Sequence, residues 1–383
     1  MKSLSVSIIS ALLHPRYGGP SEVVKLHAKG LASKAVVHVY GVSNEDDYKE
    51  IKSNIASLKV FEPSYPFRWF YCRGLYNELI RHSHKTDIFH AHMLWDYPVY
   101  AAWKSAKYHK RPLIITPHGS LNNSWRQKGF IKTAYRKLLL DQLLNDTSCV
   151  HVLNNEEAYA CREYGVRCPI RVIPNGIPLS SFYLSNDSFL ALQKWPDLVG
   201  RRVLLYLGRL WYGKGLDILP DAWAKVIRMV RKNNWLLVIA GPDYKDYREI
   251  LESQINSLGI ADSVLLTGPV YDELKSSLIS ASTLYILPSH GEGFSMALLE
   301  ALAAKRPALF TDKCNSAELA YCGGGWEVPD TIDALTEALQ DLLDKDDAYF
   351  ESAGLVGWQF AKDRYTLEIV TNQLLDMYET VIN

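Results

Sequence analysis

The stretch STLYILPSHGEGFSMALLEALAAKRPALFTD, residues 282–312, decides the fold of this chain. Its ends, STLYILPS and ALFTD, are short apolar runs that predict buried strands. Between them, MALLEALAAK predicts a helix that Ser295 caps and Pro307 ends. A strand, a helix and a second strand in succession are typical of a parallel sheet, in which ligands bind at the strand-to-helix turn.

Two carboxylates lie at this turn, Glu292 in the loop and Glu300 in the helix. On one continuous helix they would be roughly 12 Å apart along the axis and about 80° apart around it. That is too far for a glycosidase pair, whose carboxylates lie ~5–9.5 Å apart. The spacing suits the two ends of one elongated ligand, although two surface charges without a ligand remain an open alternative.

The same alternation runs through all 383 residues and predicts two domains. Six apolar runs fall in the first half and five in the second. They are SVSIIS, AVVHVY, DIFHAHM, PLIITPHG, CVHVLN and RVIPNG, followed by VLLYLG, WLLVIAG, VLLTG, TLYILPS and ALFTD. Pro174, Gly176 and Pro178 interrupt the pattern between the two series. We therefore predict an α/β protein with domains over residues 1–175 and 176–357, and an amphipathic C-terminal helix over 358–383.

Composition restricts the class of protein. Lys plus Arg and Asp plus Glu are 42 each, so charge gives no indication of a nucleic-acid partner. The six cysteines form no CxxC motif, which favours reduced thiols in a cytoplasmic protein over a metal site or disulfides. The N-terminal MKSLSVSIISALLHP lacks an AxA-like cleavage site and predicts a first strand rather than a signal peptide. No apolar run approaches the ~20 residues that span a bilayer.

A second informative stretch is YLGRLWYGKG, residues 206–215. A predicted strand ends at Gly208, and Arg209 and Lys214 follow in the loop. A guanidinium that binds oxygens bidentately and an ammonium that acts as a point charge are what a diphosphate requires. Taken alone, the two cations would be interpreted as ordinary surface charges, but the Glu292 loop in the same predicted domain reverses this and favours a ligand site.

These motifs together resemble the donor-binding half of glycosyltransferase family 4. The resemblance includes IAGPDY, LTGPV and VIPNGI, extends over most of the chain and is strongest over residues 200–330. It implies the GT-B fold, in which two Rossmann-like domains with parallel sheets face each other across a cleft and the C-terminal helix crosses back to the first domain. It also implies a retaining, metal-independent glycosyltransferase with a nucleotide-sugar as co-substrate and no cofactor.

Carried over residue by residue, the resemblance implies a donor site and four catalytic residues. Arg209 and Lys214 would bind the donor diphosphate and stabilise the leaving group, Glu292 would hold hydroxyls of the sugar, and Glu300 would accept from the ribose. The donor-binding residues are Gly18, Gly19, Gly208, Arg209, Lys214, Val270, Glu292, Gly293, Phe294, Ser295 and Glu300. The catalytic residues are His118, Glu292, Arg209 and Lys214.

The N-terminal half offers weaker signals. Gly18 and Gly19 precede a predicted helix and would let the backbone approach a phosphate or an acceptor, but the full GxGxxG pattern of a nicotinamide site is missing. His118 ends a strand, and the resemblance implies that it positions the transferred sugar or the acceptor. His90 and His92 lie on one strand face and could chelate a metal, but without an evident third ligand we favour a structural or cleft-lining role.

Lys128, Lys132 and Arg136 recur every four residues in SWRQKGFIKTAYRKLLLDQ. The pattern is typical of an amphipathic helix with a solvated basic face. It would also suit an anionic membrane surface or a lipid-linked acceptor.

The sequence therefore predicts a cytoplasmic enzyme, with peripheral association at the inner face of the cell membrane as a further hypothesis. It would transfer a hexose or related sugar to a saccharide or lipid-linked acceptor, in the synthesis of cell-surface polysaccharide or glycolipid. The alternatives are an epimerase or a sugar phosphorylase on the same fold, a two-lobed solute-binding protein, or an inactive relative. The residues leave the nucleotide base, the sugar, the acceptor and the linkage undetermined.

Overall fold

The computed structural model describes residues 3–11, 13, 19–43, 56–121, 135–179 and 187–382. The chain divides into two compact units. Unit 1 is Met1–Gly176 together with Leu367–Asn383, and unit 2 is Ile177–Thr366. The chain thus leaves unit 1 once and returns to it for the last helix.

Unit 1 is built on a parallel sheet with the strand order β3-β2-β1-β4-β5-β6-β7. The strands are β1 (Ser5–Ser10), β2 (Val36–Val42), β3 (Ser57–Phe61), β4 (Ile88–His92), β5 (Leu113–Thr116), β6 (Cys149–Val152) and β7 (Ile170–Val172). Every residue of the central strands β1 and β4 is buried, as expected when helices cover both faces of a parallel sheet.

The helices of unit 1 follow the strands in alternation. They are α1 (Gly19–Leu31), α2 (Arg73–His82), α3 (Tyr97–His109), α4 (Asp141–Asp146), α5 (Asn155–Tyr164) and α15 (Leu367–Ile382), with 3-10 turns at Phe67–Trp69 and Ser83–Lys85 and a π-helical turn at Arg136–Leu140. Asp96 and Asn154 cap α3 and α5, because the side chain of each accepts from a backbone N–H of the first turn.

The C-terminal helix α15 is part of the core of unit 1. Val370, Leu374, Met377 and Tyr378 are buried in the apolar cluster that covers one face of the sheet together with residues of β1, β2 and α1. The two helices pack closely, since a Cβ added to Gly30 of α1 would lie 2.1 Å from Thr371 Oγ1 of α15. A side chain larger than hydrogen at position 30 would therefore separate them.

Unit 2 has a parallel sheet with the strand order β10-β9-β8-β11-β12-β13. The strands are β8 (Arg202–Leu207), β9 (Trp235–Ala240), β10 (Val264–Gly268), β11 (Leu284–Leu287), β12 (Ala308–Thr311) and β13 (Gly325–Val328). Alternate residues of β8 belong to different apolar clusters, Val203 and Leu205 to one and Leu204 and Tyr206 to the other. Both faces of the sheet are therefore covered.

Helices alternate with the strands of unit 2. They are α6 (Phe189–Lys194), α7 (Leu219–Lys225), α8 (Ile227–Lys232), α9 (Tyr247–Ser257), α10 (Asp272–Ala281), α11 (Met296–Ala303), α12 (Ala317–Tyr321), α13 (Ile332–Leu342) and α14 (Asp347–Arg364), with 3-10 turns at Pro196–Leu198, Tyr212–Lys214, Ala261–Ser263 and Asp312–Cys314. The helix predicted after Ser295 is α11, and the Ser295 side chain accepts from Leu298 N–H.

The prediction of one helix over 358–383 was wrong. Residues 358–364 complete α14 in unit 2, and a separate helix begins at Leu367 in unit 1. The break occurs because Tyr365 leaves helical geometry (φ −122°, ψ 15°) and its carbonyl accepts from Ile177 N–H at 2.7 Å. Thr366 then pairs with Ile177 in a parallel bridge, so the chain leaves unit 2 beside the point at which it entered.

Candidate active site

The candidate donor site in unit 2 forms where the loops after β8 and β11 meet. These strands are neighbours in a parallel sheet, so their C-terminal ends lie at the same edge. Gly213 O accepts from His290 N–H at 3.1 Å and from the Ser289 hydroxyl at 3.0 Å. Gly215 (φ +70°) allows this approach, because a Cβ there would lie 1.7 Å from Pro288 O.

Lys214 and Glu292, predicted from different loops, contact each other directly. Lys214 Nζ lies 2.5 Å from Glu292 Oε1, and the Glu292 side chain is 9% exposed. The backbone of Glu292 is also held, since its N–H donates to Lys313 O and its carbonyl accepts from the Asn315 amide. A cation and a carboxylate are thus fixed together at the sheet edge, in contact with solvent through Lys214, which is 26% exposed.

Glu300 has a buried carboxylate with its own cation. Lys275 Nζ of α10 lies 2.7 Å from Glu300 Oε1, and the Glu300 side chain is 9% exposed. The pairing rules out the alternative of Glu300 as a solvated helix residue. A buried charged group needs a compensating partner, and Lys275 provides one for Glu300.

Arg209 follows Gly208 at the end of β8, and its side chain lies beside an aromatic ring. Its guanidinium carbon is 5.5 Å from the ring centroid of Tyr244, and the Tyr206 hydroxyl donates to its carbonyl at 2.8 Å. The Tyr244 ring packs edge-on against Trp211 at 5.2 Å. The backbone of Gly208 packs closely against Gly241, because a Cβ added to Gly241 would lie 1.8 Å from the carbonyl oxygen of Gly208.

The other predicted donor residues lie on the same edge of the unit 2 sheet. A Cβ built on Gly293 meets nothing within 4 Å, so its backbone is approachable, whereas the Phe294 ring packs against Tyr365 at 5.6 Å. Gly268 ends β10 with φ +74°, and Val270 beyond it is buried.

His290, which the sequence interpretation did not use, connects three elements around the Glu292 loop. Its Nε2 lies 2.9 Å from Asp217 Oδ1, and its Nδ1 lies 2.8 Å from Asp330 Oδ1. Burial lowers the pKa of His290, but the hydrogen bonds to Asp330 and Asp217 outweigh burial and raise the pKa above its ordinary value. Because each ring nitrogen faces a carboxylate, both can donate, and the ring holds the loop between the two acidic side chains.

In unit 1, His118 lies in a tight turn directly after β5. Its φ is +52° and that of Gly119 is +73°, which for a histidine is an unfavourable left-handed conformation. Buried Glu157 of α5 holds the turn, because its two oxygens accept from Gly119 N–H at 2.5 Å and from Leu153 N–H at 2.9 Å. The His118 ring is thereby presented by a fixed backbone.

The His118 ring is neutral. Burial lowers its pKa to about 3, with a smaller contribution from His151. Its Nε2 lies 2.9 Å from His92 Nδ1, so one of the two rings donates to the other. A neutral imidazole can position a hydroxyl group as donor or acceptor.

Some predicted residues lie outside the described part of the chain. These are Gly18, Lys128 and Lys132, and the same is true of the Arg136 side chain. Gly19 is the first residue of α1. Within the described residues, no helix combines the length and apolar character needed to cross a bilayer.

Lys275, His27 and Glu157 were missed because no motif marks them. Lys275 belongs to a helix with an ordinary amphipathic pattern, and its contact with Glu300 joins residues 25 positions apart. His27 lies on α1 and reaches His90 and His92 only through the packing of α1 on the sheet. The expectation that no metal is required stays a prediction.

Comparison with known proteins identifies the family. A profile described as Glycosyltransferase Family 4 matches residues 17–181, and one described as Glycosyl transferases group 1 matches residues 191–353. The chain is a GT-B glycosyltransferase of the family 4 type. This family membership establishes that the chain is an enzyme and not a two-lobed solute-binding protein.

Similarity to individual relatives is distant. The GDP-mannose:cellobiosyl-diphosphopolyprenol alpha-mannosyltransferase of Xanthomonas campestris is 23% identical over 96% of this chain and 95% of its own length. The alpha-monoglucosyldiacylglycerol synthase of Streptococcus pneumoniae is 27% identical over 64% of this chain, but the match spans only 58% of that enzyme. The match likewise spans 60% of the 2-deoxystreptamine N-acetyl-D-glucosaminyltransferase of Niallia circulans, at 24% identity over 61% of this chain.

The fold is that of solved glycosyltransferase structures. HepE of Anabaena, in complex with UDP and glucose, superposes with a TM-score of 0.80 at 19% identity, covering 99% of this chain and all of that one. The predicted pair of parallel-sheet Rossmann-like domains is confirmed.

Proposed function

We propose that the protein is a retaining glycosyltransferase that moves a hexose or related sugar from a nucleoside diphosphate donor to a saccharide or lipid-linked acceptor. The observation that carries the proposal is the convergence of Lys214, Glu292 and the paired Glu300 on one edge of the unit 2 sheet. The cation Lys214 suits the diphosphate of such a donor. The carboxylate of Glu292 suits the sugar at one end, and the carboxylate of Glu300 suits the ribose at the other.

Arg209 and Lys214 have the central role in this proposal. When the bond between the anomeric carbon and the diphosphate oxygen breaks, negative charge develops on the leaving group. Fixed cations and the amides at the start of α11 stabilise that charge without reorganising. The Lys214–Glu292 pair positions the lysine before the donor binds, and Glu292 is available to hydroxyls of the sugar.

The remaining groups select the ligand. Glu300 would accept from the ribose hydroxyls, and the backbone near Val270 would contact the base. We propose that His118, neutral and held in its turn, positions the transferred sugar or the acceptor hydroxyl. Support for a nucleotide-sugar donor comes from HepE, whose complexes contain UDP, glucose and UDP-glucose.

The acceptor side is supported by what relatives act on. The named relatives include an enzyme that acts on cellobiosyl-diphosphopolyprenol and one that makes a glucosylated diacylglycerol. A saccharide or lipid-linked acceptor, and with it a role in cell-surface polysaccharide or glycolipid synthesis at the inner face of the membrane, is therefore our proposal for this chain.

The test is a thermal-shift panel of UDP, GDP, ADP and their sugar conjugates on the native protein, Arg209→Ala and the control Arg228→Ala. Arg228 is an exposed arginine of α8. A ligand that binds only the folded state stabilises it by about 2.7 kcal/mol at 100 times its Kd. We expect one nucleotide series to raise Tm in the native protein and the control and to lose its effect in Arg209→Ala.

An unchanged response in Arg209→Ala would contradict the assignment of the diphosphate site. Turnover of the stabilising donor separates the remaining alternatives. Consumption without any acceptor indicates an epimerase, and dependence on inorganic phosphate indicates a phosphorylase. Transfer to an added saccharide or lipid-linked acceptor supports the proposed reaction, and the anomeric configuration of the product shows whether it is retaining.

A further inference from the structure

Unit 1 contains a buried cluster of histidines that the proposed reaction does not use in full. His27 of α1 and His90 and His92 of β4 are each at most 1% exposed. One ring nitrogen from each of the three lies within 4.8 Å of the other two. His151 of β6 adjoins them, with its ring centroid 5.7 Å from that of His27.

The hydrogen bonds of His90 fix its tautomer. His151 Nε2–H donates to Ile173 O at 2.8 Å, so His151 Nδ1 must accept from the Thr116 hydroxyl. Thr116 Oγ1 therefore accepts from His90 Nε2–H at 2.7 Å, which leaves the lone pair of His90 on Nδ1. That nitrogen accepts from the Tyr378 hydroxyl at 2.7 Å.

The other two rings have nitrogens without partners. Among the described residues, His27 Nδ1 and Nε2 and His92 Nε2 are buried and make no hydrogen bond. An unsatisfied buried polar group costs ~1–3 kcal/mol, so three in one cluster indicate a missing ligand.

We propose that His27, His90 and His92 bind a divalent transition-metal ion of the zinc class. Neutral imidazole is a preferred ligand of zinc, and a site with three histidines leaves a fourth position for water. Ligands that bind zinc tetrahedrally at ~2.0–2.1 Å lie about 3.3 Å apart. The three histidine nitrogens, which lie within 4.8 Å of one another, would therefore move closer together on binding.

Two of the three ligands, His90 and His92, already have their second ring nitrogen held as metal sites require. A ligating histidine usually has its other ring nitrogen in a hydrogen bond that fixes its orientation. Thr116 does this for His90, and His118 does it for His92. The metal would take the place of the Tyr378 hydroxyl at His90 Nδ1. It would connect α1 to β4 and fix the ring that contacts His118, a structural role separate from donor binding in unit 2.

The experiment uses the full-length protein, stripped with EDTA and dialysed against Zn²⁺ alone, with bound zinc measured by mass spectrometry and Tm by calorimetry. We expect about one zinc ion per chain and a higher Tm for native protein. His27→Ala should lose both effects, while His84→Ala, which removes an exposed histidine, should keep them.

Substoichiometric zinc in the folded native protein would overturn the proposal, and so would equal zinc uptake by His27→Ala. Because His27→Ala could fail to fold, Tyr378→Phe provides a second variant. It removes the hydroxyl that competes for His90 Nδ1, so zinc should bind at least as tightly as in the native protein. Weaker binding would overturn the assignment of His90 Nδ1 as a ligand. Donor binding, measured separately, should be unchanged by zinc removal.

Discussion

At the scale of single residues, Glu300 is a buried charge for which we propose a role in recognition of the ribose. Its carboxylate is paired with Lys275 and shielded from bulk water, so it can accept hydrogen bonds from a specific ligand. A buried carboxylate that accepts from ribose hydroxyls discriminates strongly, because a ligand without those hydroxyls leaves the acceptor unsatisfied.

We predict that Glu300→Gln weakens binding of the preferred nucleoside diphosphate by about tenfold, which corresponds to about 1.4 kcal/mol. The amide retains the shape of the side chain but accepts more weakly. Isothermal titration with the same nucleotide in its 2′,3′-dideoxy form is the control, since this ligand should bind the native protein and the variant equally. A tenfold loss for the dideoxy ligand as well would contradict the role of Glu300.

Glu157 allows a second prediction. Glutamine has one acceptor oxygen in place of two, so Glu157→Gln leaves either Gly119 N–H or Leu153 N–H without a partner, at ~1–3 kcal/mol. The His118 turn then loses its support. Steady-state kinetics should show a lower kcat with little change in the donor KM. The exposed neighbour Glu156→Gln provides the control, and an equal kcat in both variants would contradict a positioning role for Glu157.

At the scale of elements, the loops after β8 and β11 are held by backbone contact, and Gly215 is the position that allows it. Gly215→Ala places an alanine in the left-handed region, which costs ~1–2 kcal/mol of stability. It also brings the new Cβ into a steric clash with Pro288 O. Gly259→Ala is a matched control, because its φ is +66° and a Cβ there meets nothing within 4 Å. We expect chemical denaturation to show Gly215→Ala as less stable than the control by roughly 3 kcal/mol. Equal losses would show that the contact can relax.

The loop around His290 should respond to pH. The folded-state pKa of His290 is raised, so its contribution to stability is complete below the unfolded pKa of about 6.5 and is lost as pH rises through the folded value. His290 faces Asp217 and Asp330, with the Tyr212 ring 5.1 Å away. The melting temperatures of native protein and His290→Gln should therefore converge as pH rises from below 6.5 through the raised folded-state pKa of His290. A gap that widens with pH would contradict the charged pairing.

The sequence predicted elements well where periodicity is strong. Central strands such as β8 and β9 are continuous apolar runs, and both are found in place. The edge strands β3 and β13 were missed, because they are short and half-buried and contain the charged residues Lys59 and Glu327. The Glu292 loop was recognised from local sequence, whereas the partners Lys275, Glu157 and His27 come from contacts between distant segments that no local pattern encodes.

At the scale of the whole molecule, unit 1 depends on the last helix of the chain. Removal of residues 367–383 would expose the surface that Val370, Leu374, Met377 and Tyr378 cover. Burial of four such side chains contributes more than ~5 kcal/mol, which is comparable to the stability of a domain. Hydrogen exchange should therefore show loss of protection throughout unit 1 and retained protection in unit 2. Truncation after Tyr378 is the control, and full protection in both truncations would contradict the prediction.

The discontinuity of unit 1 also affects how the protein is made. Its first 176 residues leave the ribosome well before its last helix, because all of Ile177–Thr366 is synthesised in between. At about 5–20 residues per second, this delay is roughly 10–40 s. Unit 2, which is continuous, can complete its fold first although it is translated second. During that interval nascent unit 1 exposes the apolar surface awaiting α15, which makes it the part of the growing chain on which chaperones are expected to act.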